Sequence, residues 1–161
     1  MGADSGPAKY AVGLHNVGSY QVAGIPWITG SGLNHGAGAA RALGRGQEYK
    51  FEFPSVTKNI TVINRSGNDI RIHFNSTSST INRPGDLPIG GINVISGSHY
   101  VLFDSKEDSY TFNVKTKEIY ISAPETNSGD ASFTIVAELT QINLARMFDL
   151  SGSGLTTING S

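Results

Sequence analysis

Apolar side chains recur with a period of two through the middle of the chain, and the alternation predicts strands one after another. Tyr49, Phe51 and Phe53 share one face while Lys50 and Glu52 take the other, and Pro54 ends the run. Residues 59–64 continue the pattern with Ile60 and Val62 on one side and Thr61 and Ile63 opposite. Residues 69–75 place Ile70, Ile72 and Phe74 inward and Arg71 and His73 outward. The turn-forming residues Arg65, Ser66, Gly67 and Asn68 lie between these two runs, so the pair reads as a hairpin.

Further strands are expected at residues 98–104 and at Tyr110, Phe112 and Val114, the second returning from a charged tip at residues 105–108. Ile119 and Ile121 alternate with Tyr120 on the next, and residues 131–142 form the longest. There Phe133, Ile135, Ala137 and Leu139 face one way, and Thr134, Val136, Glu138 and Thr140 the other. Short strands at turn-punctuated spacing predict an all-β fold: an antiparallel β-sandwich, jelly-roll or immunoglobulin-like, with one wet face per sheet. Periodicity does not choose between the two topologies.

The ends read differently. Eleven of the twenty glycines precede residue 47, and six lie between 47 and 142. Glycine content therefore divides the chain into an extended N-terminal arm (1–46), a sandwich domain (47–142) and a C-terminal short helix and tail (143–161). In the arm, Tyr10, Val12, Leu14, Val17, Tyr20, Val22, Ile25, Trp27 and Ile28 call for burial, yet glycines interrupt every run. Burying those side chains does not offset the entropy of ordering so loose a backbone. The arm is expected to order against a larger surface, its own core or a neighbouring subunit. Leu144, Met147, Phe148, Leu155 and Ile158 play the same part in the tail. These fourteen residues are the candidate subunit-interface set.

Composition narrows the chemistry. Net charge is -1 with 16% charged residues, which gives a nucleic-acid partner nothing to grip. Absence of cysteine removes disulfides, thiolate metal sites and a cysteine nucleophile. His15, His35, His73 and His99 show no metal-binding spacing. Asp104, Glu107 and Asp108 cluster on one loop, but Lys106 sits among them and the spacing is not that of a calcium loop. No nucleophile elbow, phosphate loop or carboxylate pair is legible, so no catalytic residue, cofactor or metal is expected. No run is long enough to span a membrane, and the first residues lack an export leader, so the Asn-x-Ser/Thr sequons are expected to be chance.

The run Gly13-Leu14-His15-Asn16-Val17-Gly18-Ser19-Tyr20-Gln21-Val22, followed by Ile25-Pro26-Trp27-Ile28-Thr29-Gly30-Ser31, resembles N-terminal segments of small virion proteins of tailed phages, marine ones in particular. It covers less than a fifth of the chain. The resemblance implies a virion structural protein, most directly a capsid decoration (cement) protein, with a neck or tail component as the alternative. It also implies partners among copies of itself and other virion proteins such as the major capsid protein, after assembly in the host cytoplasm. No catalytic residue carries over. The rival class is a carbohydrate-binding or adhesin-like β-sandwich, for which the loop from Asp104 to Asp108 is the candidate calcium site.

Overall fold

A computed structural model describes residues 13–15, 17, 24–31, 42–74 and 100–147. These form eight strands: β1 (Ile25–Ser31), β2 (Glu48–Glu52), β3 (Thr57–Asn64), β4 (Ile70–His73), β5 (Val101–Phe103), β6 (Ser109–Phe112), β7 (Glu118–Ser122) and β8 (Phe133–Leu139). One 3-10 turn, Leu144–Arg146, follows, and the Asn143 side chain caps it by accepting from Ala145 N–H. The fold is all-β. The strands make two four-stranded antiparallel sheets, ordered β1-β8-β3-β6 and β2-β7-β4-β5.

The expected alternation appears most plainly in β8, where Phe133, Ile135, Ala137 and Leu139 are buried and the residues between them half-buried. Ile60 and Val62 of β3 share that inward face. Tyr49, Phe51, Phe53, Ile70, Ile72, Ile119 and Ile121 come from the other sheet and its margin, and all belong to one hydrophobic cluster. Phe51 meets Phe133 edge to face with centroids 5.6 Å apart, which ties one sheet to the other.

Two expected hairpins are not hairpins. β3 and β4 lie in different sheets, as do β5 and β6. A tight two-residue hairpin needs left-handed backbone, and no residue from 65 to 69 has positive φ. The connection is instead an arch clamped by asparagines. Asn64 donates to Asn68 O (2.9 Å), Asn68 donates to Asp130 O (2.9 Å), and Asn127 donates to Asp69 O (2.9 Å) and accepts from Asp69 N–H (3.1 Å). Period-two patterning sets which face of a strand is buried. It is silent on which strand lies alongside.

The sheets also begin earlier than glycine content suggests. β1 pairs with β8 along its whole length, from Ile25 opposite Leu139 to Ser31 opposite Phe133. Leu43 is fully buried and bridges to Ala131 through hydrogen bonds of 2.9 and 2.8 Å. Two glycines that read as looseness have other causes. A Cβ on Gly24 would lie 2.8 Å from Glu138 Cβ, so glycine there permits close approach to β8. Gly46 holds φ +70° in the turn that leads into β2.

Candidate functional site

Within the candidate interface set, Tyr10, Val12, Tyr20, Val22, Phe148, Leu155 and Ile158 lie outside the described residues. The other members divide into two groups. Trp27 is half-buried and packs edge to face on Phe53 of its own core, centroids 5.0 Å apart. Leu14, Leu144 and Met147 gather around Val56 and Ile142 in a second small cluster. Those contacts are internal to the chain. Val17 (67%), Ile25 (53%) and Ile28 (68%) remain exposed.

Ile28 stands on the outward face of the first sheet, in line with Val136 and Thr61 across the strands and with Thr111 beyond. Thr61 and Thr111 share a hydroxyl hydrogen bond of 2.8 Å there. Gly30, Thr134, Ile63 and Ser109 form the neighbouring row. Neither row carries a charge. Glu138 lies at the margin, accepting from Asn59 (2.7 Å) with Lys58 3.5 Å away.

The second sheet breaks the expectation of a wet outer face. Glu48, Lys50 and Glu52 of β2 stand opposite Ser122, Tyr120 and Glu118 of β7, and Arg71 and His73 of β4 complete the rows. This face is polar and largely buried: Glu48, His73, Tyr120 and Ser122 are each less than 5% exposed. Lys50 Nζ bridges Glu118 (2.7 Å) and Glu52 (2.8 Å), and Tyr120 donates to Glu118 (2.9 Å). His73 stacks on Tyr120, and the Arg71 guanidinium lies 4.8 Å over the Tyr100 ring. Arg71 Nε is buried with no hydrogen-bond partner.

His73, Ser122 and Glu48 together invite a catalytic-triad reading, which the geometry does not support. Ser122 Oγ is 3.0 Å from His73 Nε2, and the Glu48 carboxylate is 4.0 Å from that same nitrogen. A triad needs the carboxylate on the opposite ring nitrogen and a nucleophile that substrate can reach. Ser122 is 1% exposed. These residues are better read as a structural polar layer. Sequence reasoning missed it, although part of the signal was present: Glu48, Lys50 and Glu52 alternate along β2, and Lys50 finds its opposite charge in Glu118 of β7. Burial of the face was not legible in that signal.

Two groups of this layer, Tyr120 and Lys50, hold their protons more tightly than in water. Burial first, then the bonded Glu118, pushes the Tyr120 phenol well above its ordinary 10.0. Burial pulls the Lys50 ammonium down, but its bonds to Glu118 and Glu52 outweigh that and leave it above 10.5. A group that holds its proton more tightly when folded contributes fully below its unfolded pKa and loses that contribution above it. Stability should therefore fall above about pH 10, on the alkaline side only for these two groups. Urea unfolding at a series of alkaline pH values should show the decline, with a shallower slope in Tyr120→Phe. An equal slope in that variant would remove Tyr120 as a cause.

The acidic loop is occupied with its own contacts. Asp108 accepts from Ser105 N–H (3.0 Å), Asp104 accepts from the Ser105 hydroxyl (3.3 Å), and Glu107 pairs with Arg65. Among the described residues no three His, Asp or Glu side chains are grouped to hold a metal ion. The sequon asparagine Asn64 is fully buried and bonded within the arch, so a glycan cannot be attached there in the folded chain. Among the described residues no helix is long and apolar enough to cross a membrane. Compared with known proteins, the chain matches no family, no curated protein and no solved structure.

Proposed function

We propose that the two sheets form a jelly-roll sandwich and that the chain is a non-catalytic virion structural protein, a capsid decoration subunit that joins its neighbours. The strand pairing carries this reading. β1 lies against β8, β2 against β7, β3 against β6 and β4 against β5. Rolling up one long antiparallel ribbon, bent at the β4–β5 connection, gives these pairs and places them alternately in two sheets. Eight strands wound as two Greek keys recur in viral capsid and lectin domains. An immunoglobulin sandwich would instead pair several consecutive strands as hairpins, whereas β4 and β5 are the one consecutive pair among the described strands.

A fold does not by itself assign a function. The virion assignment is supported further by the resemblance of residues 13–31 to phage virion proteins. It is also supported by the apolar side chains of Val17, Ile25 and Ile28, exposed at and before the first strand. Within the candidate interface set, these three are the described residues whose side chains are exposed to another subunit. Quantitative mass spectrometry of purified particles should find the chain at hundreds of copies per virion. About a dozen copies would move the assignment to the neck or tail. Absence from particles, together with saturable binding on a glycan array, would replace it with the lectin reading.

A further inference from the structure

We infer that β6 is a self-association edge, at which a second copy of this chain adds its own β6 antiparallel across a two-fold axis. Among the described strands, the four sheet edges are not equally protected. β1 carries Pro26 and Gly30, β2 carries Lys50 and Glu52, and β5 is three residues long. Proline, charge and shortness all blunt an edge against pairing. Residues 109–114, Ser-Tyr-Thr-Phe-Asn-Val, contain no charge, proline or glycine. Ser109, Tyr110, Thr111 and Asn113 are exposed.

The hydrogen-bond phase of this edge follows from its inner side. Asn64 N–H donates to Asp108 O (2.8 Å), and Val62 and Ile60 stand opposite Tyr110 and Phe112. Alternation along an antiparallel ladder then turns Tyr110 and Phe112 toward β3, and Ser109, Thr111 and Asn113 outward. A second β6 with Thr111 on the axis meets those outward groups in register: Thr111 faces Thr111 of the other copy, and Ser109 faces Asn113. Inward side chains stay inward, so Tyr110, 56% exposed in the single chain, comes opposite Phe112 of the other copy.

Charge selects both the partner and the direction. The strand is entered through Asp104, Lys106, Glu107 and Asp108, net acidic, and left through Lys115 and Lys117, net basic. An antiparallel second copy brings the acidic turn at residues 104–108, where Glu107 holds φ 68° and pairs with Arg65 of its own chain, beside the basic exit at Lys115 twice. A parallel copy would oppose like charges. Main-chain pairing of this kind supplies affinity, and the flanking charges supply register. Such a dimer would form whether or not the chain belongs to a particle.

Sedimentation equilibrium on the full chain tests this. Wild type should approach twice its 17.0 kDa mass at high concentration and dissociate on dilution. Thr111→Pro, which removes the two central N–H donors and is tolerated on an edge, should raise the dissociation constant about tenfold or more with an unchanged circular dichroism spectrum. Should that variant fail to fold, Lys115→Glu at an exposed position carries the test. It should weaken the dimer several-fold, and mixing it with Glu107→Lys chains should restore association. A wild type monomeric up to its solubility limit, or an unchanged constant in folded Thr111→Pro or in Lys115→Glu, would overturn the inference.

Discussion

Removal of residues 1–23 should leave a folded chain, and removal of residues 1–46 should not. The shorter deletion ends before β1 and takes away the packing of Leu14 on the small cluster of Val56, Ile142 and Met147. Its cost should stay near 1–2 kcal/mol, in the ordinary range for a change away from the main core. The longer deletion removes all of β1, the Trp27–Phe53 ring contact and the fully buried Leu43. It also exposes the hydrogen-bonding edge of β8. Large-to-small changes at positions like Trp27 and Leu43 cost about 2–5 kcal/mol each. Together they are comparable with the whole stability of a typical domain, about 5–15 kcal/mol. Far-UV circular dichroism and urea unfolding of both truncations decide the matter. A 1–46 deletion that unfolds at the wild-type midpoint would place β1 outside the cooperative body.

That contrast also marks what was legible in the chain. Strand positions were readable wherever one face is apolar and the other is not, as in β8 and β2. Pairing was unreadable because a period of two says nothing about the neighbour, so two arches between sheets passed for hairpins. Glycine was the second obstacle. Gly24 and Gly46 have the composition of a flexible arm but serve close packing and a left-handed turn. The polar layer over the second sheet was hidden for a third reason. Glu48, Lys50 and Glu118 look like solvated charges, and one-dimensional patterning does not reveal that they are partly or fully removed from water.

The same division separates side chains that hold the fold from those left to meet a partner, and Trp27 and Ile28 put it to a direct test. They are adjacent on β1 and point to opposite faces. Trp27 reaches inward to Phe53, so Trp27→Ala removes an aromatic pair and leaves a void beside Phe53. It should cost about 2–4 kcal/mol in urea unfolding of the isolated chain. Ile28 is 68% exposed on the outward face, and Ile28→Ser should change stability by no more than about 0.5 kcal/mol. For a decoration subunit the order reverses when occupancy of purified particles is measured: Ile28→Ser lowers it although the free chain is as stable as wild type. If Trp27→Ala left stability untouched and abolished assembly alone, the tryptophan would be the intersubunit anchor and its contact with Phe53 incidental. If Ile28→Ser bound particles fully, the exposed face of β1 would have no part in attachment, and the contact would have to be sought along β6 or elsewhere in the chain.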